Sequence, residues 1–288
     1  YLALSFICAI INLAPSVSHV VQGHSGLACF GIWVVVLNFL AFINGIVWRD
    51  DAIDRAPIFC DVSSRISSVG PLGLLISNWC IIRYLAKIVA PARTVAVEQE
   101  SKKRVVLDYT LSFGFPLAVA GGSVVYQTAR YNVSNISGCA AVHGLTWPTL
   151  IMSLIWPVIF SVIACAYSVY VIFWLVRQHR NVRQVMQNSN VHLSRFVRMC
   201  AMAATYVCIS APYTIFGTIA TIKTIGPYFP WASWSAVHSS ENSLSRVRQN
   251  PLHQLSVQEW LAIVAGLDLF FFFSFANESI AIWRRCTK

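Results

Sequence analysis

Long apolar stretches separated by short polar ones dominate the chain. Seven of them cover roughly residues 1–18, 27–48, 63–89, 105–126, 146–176, 196–222 and 256–283. A bilayer core takes about 20 apolar residues as a helix, and every run from the second onward reaches that length. The apolar residues follow one another continuously, without the strict alternation of membrane β-strands, so the spans read as helices and not as a barrel. The pattern predicts an all-α membrane fold, a seven-transmembrane helix bundle forming a single domain over 1–288. The first run is short: Tyr1–Ala14 would be about 21 Å long as a helix. No basic segment or cleavage site marks a signal peptide, so the expectation is a first span whose beginning is missing.

Helix breakers fall inside several runs: Gly70-Pro71, Pro116, Pro157 and Pro212. A proline removes one helical hydrogen bond and bends the backbone, which bilayer helices tolerate when neighbours re-satisfy the freed carbonyl. Packing geometry accounts for most of these. Pro212, in Ser210-Ala-Pro-Tyr213, is read as a hinge.

Composition supports the membrane reading, with 57% apolar residues, 11% charged residues and a mean hydropathy of +0.62. Charge adds a direction. Of 21 basic residues, fourteen fall in the loops after the third and fifth runs, in the span ends flanking them or in the tail, among them Arg83, Lys102–Arg104, Arg177, Arg180, Arg183, Arg195, Arg198 and Arg284. The other face holds seven, offset by most of the acids. By the positive-inside rule the basic face is cytoplasmic, the N-terminus outside and the C-terminus inside. The basic loop 177–198 suits either attraction to anionic membrane lipid or docking of a cytosolic protein. Nucleic acid is not an expected partner.

The outer face has its own chemistry. Asn44–Arg65 concentrates Asp50, Asp51, Asp54 and Asp61 among the chain's eleven acids, opposed by Arg49, Arg55 and Arg65. An acidic knot between two spans reads as an outer lid, and Arg65 shares a helix face with Asp61 four residues earlier. Loop 127–145 contains the N-glycosylation sequons Asn132-Val-Ser134 and Asn135-Ile-Ser137, although Asn277-Glu-Ser279 matches the same motif inside a span. Cys60 and Cys139 lie in loops on this face, where a disulfide would tie the third span to the fourth-to-fifth loop in an oxidising compartment. Six other cysteines sit in apolar runs as ordinary small residues. Trp48, Trp231, Trp234 and Trp260 cluster near the outer boundary, either as an interfacial belt or as the rim of a cavity.

Ionisable residues at membrane depth need a partner or a task. Asp108 is expected to pair with the adjacent Lys102–Arg104, and Glu278 to join an inner polar network. Asp268, nearer mid-depth, is the better functional candidate. Catalysis finds little support: the histidines fall in loops or at span ends, HExxH and GxSxG are absent, and no Cys/His spacing suits a metal. The seventh run has no lysine for retinal, so no cofactor is expected. A transporter or channel is the rival class, weakened by the lack of paired repeats and midplane charges.

The residues now resemble a family. Asn44, Trp48, Asp50, Asp51, Pro57, Cys60, Asp61 and Arg65 reproduce the order of a motif in the fungal receptors for lipidated a-factor-type mating pheromones, the class D G-protein-coupled receptors. Phe59 stands where an aromatic precedes the cysteine. Trp33, Cys80-Ile-Ile-Arg83, Gly138-Cys139, Phe196-Val-Arg198, Pro212 and the Phe270–Phe273 run are similar in their order, so the likeness covers nearly the whole chain. Arg49-Asp50-Asp51 departs from it, being more charged, and the family's cytoplasmic tail lies beyond Lys288. The resemblance implies a multi-pass plasma-membrane receptor for a prenylated peptide pheromone, acting on a heterotrimeric G protein. A prenyl chain gains about 0.8 kcal/mol per buried CH₂ in the membrane. The ligand would be read by Trp48, Asp50, Asp51, Asp61, Arg65 and Glu241, and coupling would use Arg83, Arg177, Arg180, Arg183, Arg195 and Arg198 after movement about Pro212.

Overall fold

A computed structural model describes residues 1–89, 102–177, 193–225, 233–238, 244–250, 255 and 257–274. It is mostly helical, with six helices among the described residues long and apolar enough to cross a membrane. We label the main helices α1 (Leu2–Val21, interrupted at Asn12), α2 (Ser25–Val47), α3 (Pro57–Val89), α4 (Lys102–Val125), α5 (Trp147–Arg177) and α6 (Leu193–Ile225). A seventh, α7 (Val257–Phe273), has 17 residues and packs on α1, α2 and α6. The rest of the run predicted over 256–283 lies outside the described residues, as does Glu278.

α3 is the axle, packing on α2, α4, α5 and α6. It begins at Pro57, six residues before the predicted start of the span. Proline suits the first helical position, where its missing N–H costs nothing. Cys60 and Asp61 are therefore on the first turns of a helix and not in a loop. Gly73 lets α2 approach, since a Cβ there would overlap the Trp33 ring.

Prolines shape two other helices. In α4 the turn Thr110–Gly114 is widened into a π-helix just before Pro116. Pro116 cannot donate to the Ser112 carbonyl four residues back, and that carbonyl accepts instead from Trp33 Nε1 of α2 at 2.9 Å. A second π turn, Leu150–Leu154, precedes Pro157 in α5. Such bulges accommodate an interrupted helical ladder.

Three asparagines tie helices together by donating side-chain amides to neighbouring carbonyls. Asn12 reaches Gly266 at 2.9 Å, Asn38 reaches Ala262 at 2.8 Å and Asn78 reaches Ala203 at 3.2 Å. Bilayer helices gain little from apolar contact alone, so interhelical hydrogen bonds of this kind fix α1 and α2 against α7, and α3 against α6.

Loop 127–145 contains a hairpin. β1 (Gln127–Ser134) pairs antiparallel with β2 (Gly138–His143), and β3 (Val247–Asn250) adds parallel to β1, giving the order β2-β1-β3. Ala129, Tyr131 and Val133 are buried while Arg130 and Asn132 are half-buried, the period-two pattern of a strand with one covered face. Gly138, at φ +67°, takes the left-handed turn conformation that glycine adopts without strain.

Candidate functional site

The sheet caps one end of the bundle, and the predicted lid residues are what fasten it. Trp48 is fully buried, donates from Nε1 to the Ile53 carbonyl at 2.8 Å and stacks on Phe59. It forms the centre of a small core with Ala52, Cys60, Tyr131, Val133 and Cys139. Its own carbonyl accepts from the Ile136 amide at 2.7 Å. Cys60 and Cys139 are joined as a disulfide with their Cα atoms 5.2 Å apart, and Asn44 Oδ1 accepts from the Cys139 amide at 3.3 Å. The 44–65 segment is thus tied to the hairpin at several points.

Three of the four aspartates have partners within the cap. Asp51 forms a forked pair with Arg55, and Asp61 accepts from Arg130 Nε and Nη2 at 2.9 and 2.6 Å. Asp54 accepts from the Tyr131 hydroxyl at 2.9 Å. Hydrogen bonding from Arg55, with its charge as a lesser contribution, holds the Asp51 carboxyl below the usual carboxylate range. Burial, reinforced by its bond to Asp54, pushes the Tyr131 phenol up to about 12. Asp50 keeps its side chain exposed and offers its main-chain carbonyl to Asn135 Nδ2 at 3.4 Å. Arg65, one turn after Asp61, lines with it a lateral groove of about 690 Å³ between α3 and α4. Glu241 lies outside the described residues. Of the two sequons, Asn132 is half-buried, whereas Asn135 is 4% exposed with its amide engaged.

Beneath the cap lie two adjoining cavities, lobes of about 230 and 310 Å³ whose walls share residues. Together they fall within the range of ligand sites, roughly 300–1,000 Å³. The first lobe is walled by Tyr1, α2, α3, α7 and the hairpin, with Ser64, Ser67 and Glu259 among its polar groups. The second runs along α6, where Tyr206, Ser210, Tyr213, Gly217 and Thr221 line it. These five cover about 22 Å of helix at 1.5 Å per residue, and Ser210 and Tyr213 flank Pro212. Both walls include Ser68, Pro71, His143, Gln258 and Leu261. Burial lowers the His143 ring to about 4. The serines and His143 were not singled out from the sequence, although Ser64, Ser67 and Ser68 follow the i, i+3, i+4 spacing of one helix face.

The opposite end gathers the basic residues. Arg83 pairs with Asp108 and also lies over Trp79, 5.0 Å from its ring centre. This corrects the expected partnership of Asp108 with Lys102–Arg104. Asp108 is 2% exposed because its turn of α4 faces α2 and α3, where Ser25 Oγ donates to it at 2.5 Å. Arg104 instead covers Tyr84, and Arg195 meets His24 Nε2 at 3.1 Å. Arg177 and Arg198 lie over Phe173 and Phe273. Arg180 and Arg183 are outside the described residues. In α7, Asp268 accepts from Thr205 Oγ1 of α6 at 2.7 Å.

Six to seven candidate membrane-crossing helices, with cavities roofed at one end, define a multi-pass membrane protein. Residues 1–288 match the Pheromone A receptor family (STE3), and the chain belongs to it. It is similar to the Pheromone B alpha 3 receptor of Schizophyllum commune, 33% identical over 96% of this chain and 45% of that protein. It is also similar to that fungus's Pheromone B alpha 1 receptor, 30% identical over 99% and 46%. The Pheromone a factor receptor of Saccharomyces cerevisiae is 21% identical over 88% of this chain and 54% of that protein. The chain spans about half the length of these curated relatives.

Proposed function

We propose that the chain is the helical portion of a plasma-membrane receptor that senses a prenylated peptide pheromone and activates a heterotrimeric G protein. The observation that carries this reading is the roofed cavity whose longer wall is the helix of Pro212. A ligand there bears on the residues either side of the proline, where α6 lacks one internal hydrogen bond. Binding shifts a conformation only if the ligand prefers one arrangement of the bundle, and contact beside the proline supplies that preference. The concentration of Lys and Arg at the end opposite the cap supports an outward cap and a cytoplasmic basic face, which the cap's disulfide and sequons suit. The names of the relatives support a pheromone as the ligand. In this reading Trp48, Asp51 and Asp61 shape the lid, Asp50 and Arg65 meet the ligand on its way in, and Glu241 belongs to the same face. Arg83 with Arg177, Arg180, Arg183, Arg195 and Arg198 forms the surface for the G protein. The test is a panel of synthetic S-farnesylated, carboxymethylated peptides applied to receptor in liposomes with a G protein. Nucleotide exchange that requires both receptor and peptide is expected; solute flux without ligand and no exchange for any peptide overturns it.

A further inference from the structure

His143 stands where the two lobes meet. It ends β2, opposite Gln127 in the hairpin register, and its ring lies edge-on to Tyr126 with centres 5.0 Å apart. Its Nε2 is enclosed and has no hydrogen-bond partner among the described residues. An enclosed polar atom without a partner costs free energy that a bound group can return. Beside it in both walls are the Ser68 hydroxyl of α3 and the Gln258 amide of α7. All three are neutral groups, because burial keeps the imidazole unprotonated near neutral pH. Neutral imidazole offers one donor and one acceptor. On either side the walls mix apolar and polar groups, with Leu37, Leu74, Ser64 and Ser67 in one lobe and Leu72, Leu75, Val119, Thr214 and Thr218 in the other. A neutral polar waist is the wrong place for a fixed charge or a bare hydrocarbon. It suits a main-chain amide, which carries a donor and an acceptor without a charge.

We infer that the ligand lies extended across both lobes with one peptide bond in the waist, hydrogen-bonded by His143 Nε2. His143 is then a positioning and specificity residue: it sets which part of the ligand reaches the α6 lobe and Pro212. This rests on the receptor reading above.

The test is a double-mutant cycle between receptor and ligand. A farnesylated, carboxymethylated peptide that activates the wild type is remade with each backbone amide replaced in turn by an ester or an N-methyl amide. These peptides are then compared on wild type, His143→Phe and His143→Gln at matched surface density. At one position the replacement is expected to raise the half-maximal concentration about tenfold on wild type, but by no more than about twofold on His143→Phe. A purely structural role for His143 would leave every position's penalty unchanged. Equal penalties on both receptors, or an unaltered response of His143→Phe to the parent peptide, overturn the inference. If His143→Phe does not reach the surface, His143→Gln and Gln258→Leu are read in the same cycle. A changed penalty at that single position supports the inference, and no change at any position overturns it. Failure of every peptide on the wild type would instead refute the receptor reading.

Discussion

Arg83 of α3 and Asp108 of α4 form an ion pair enclosed between their helices, with side-chain exposures of 16% and 3%. Removing one member of such a pair leaves the other charge buried without compensation, which costs about 3–5 kcal/mol, whereas removing both costs less. Asp108→Ala is therefore expected to lower the melting temperature of solubilised receptor more than the Arg83→Ala/Asp108→Ala double variant does. A double variant less stable than both single variants would show that the two charges do not depend on each other.

Signalling should respond to a different pair of changes. Pro212→Ala restores an N–H to the ladder of α6 and stiffens it at the cavity wall, while Arg83→Ala removes a basic group from the opposite end. Each is expected to reduce peptide-stimulated nucleotide exchange per receptor at the surface roughly tenfold, within the usual range of coupling energies, the count correcting for Arg83→Ala receptor lost through its broken ion pair. Full signalling by both variants would remove the hinge and docking roles.

The cap is predicted to depend on Trp48 as packing. Truncating a buried tryptophan costs about 3–5 kcal/mol, so Trp48→Ala should reduce surface delivery and make the Cys60–Cys139 region accessible to reductant and protease. Asp50→Asn, at an exposed side chain, should leave stability within about 0.5 kcal/mol. Measuring surface density and melting for both separates a scaffold role from a contact role, since a ligand contact at Asp50 would change response without changing either.

Glycan attachment should distinguish the two sequons. Asn135 is committed to the Asp50 carbonyl in a closed part of the cap, whereas Asn132 is the more open of the two. Asn132→Gln is expected to abolish the glycosidase-sensitive shift on a gel and Asn135→Gln to leave it. A shift that survives Asn132→Gln and disappears with Asn135→Gln would reverse this order.

The membrane helices were legible in the sequence because a bilayer demands long uninterrupted apolar runs, and no other soluble or barrel pattern imitates them. The cap was less so. Ala129, Tyr131 and Val133 alternate with polar residues over too few positions to outweigh the loop reading, and β3 comes from a segment more than a hundred residues away. The aspartates of 44–65 looked available for a ligand because Arg130 and Tyr131, their partners, are distant in the chain. Asp108 shows the same limit: proximity in sequence favoured Lys102–Arg104, while helix packing delivers Arg83. His143 had no sequence signal, since its place depends on where the hairpin lays its last residue over the bundle.

That placement also predicts a pH dependence of stability. The folded protein holds the His143 ring at about 4, below its ordinary 6.5, because burial disfavours the charged form. Below pH 6.5 the unfolded chain takes up a proton at this residue that the folded chain refuses, so stability falls as pH drops from about 6.5 to about 4 and levels off below that. At 1.36 kcal/mol per unit, the loss attributable to this residue approaches about 3 kcal/mol as an upper bound. Other titratable groups of the chain also contribute to the wild-type curve, so wild type alone is ambiguous. The informative quantity is the difference between wild type and His143→Gln, which shares every other group. Melting curves between pH 7.5 and pH 4.5 should show the wild type losing more stability than the glutamine variant, with the gap opening below about pH 6.5. Parallel curves would mean that the imidazole is as easily protonated in the folded receptor as in the unfolded chain, and that the waist of the cavity is open to water.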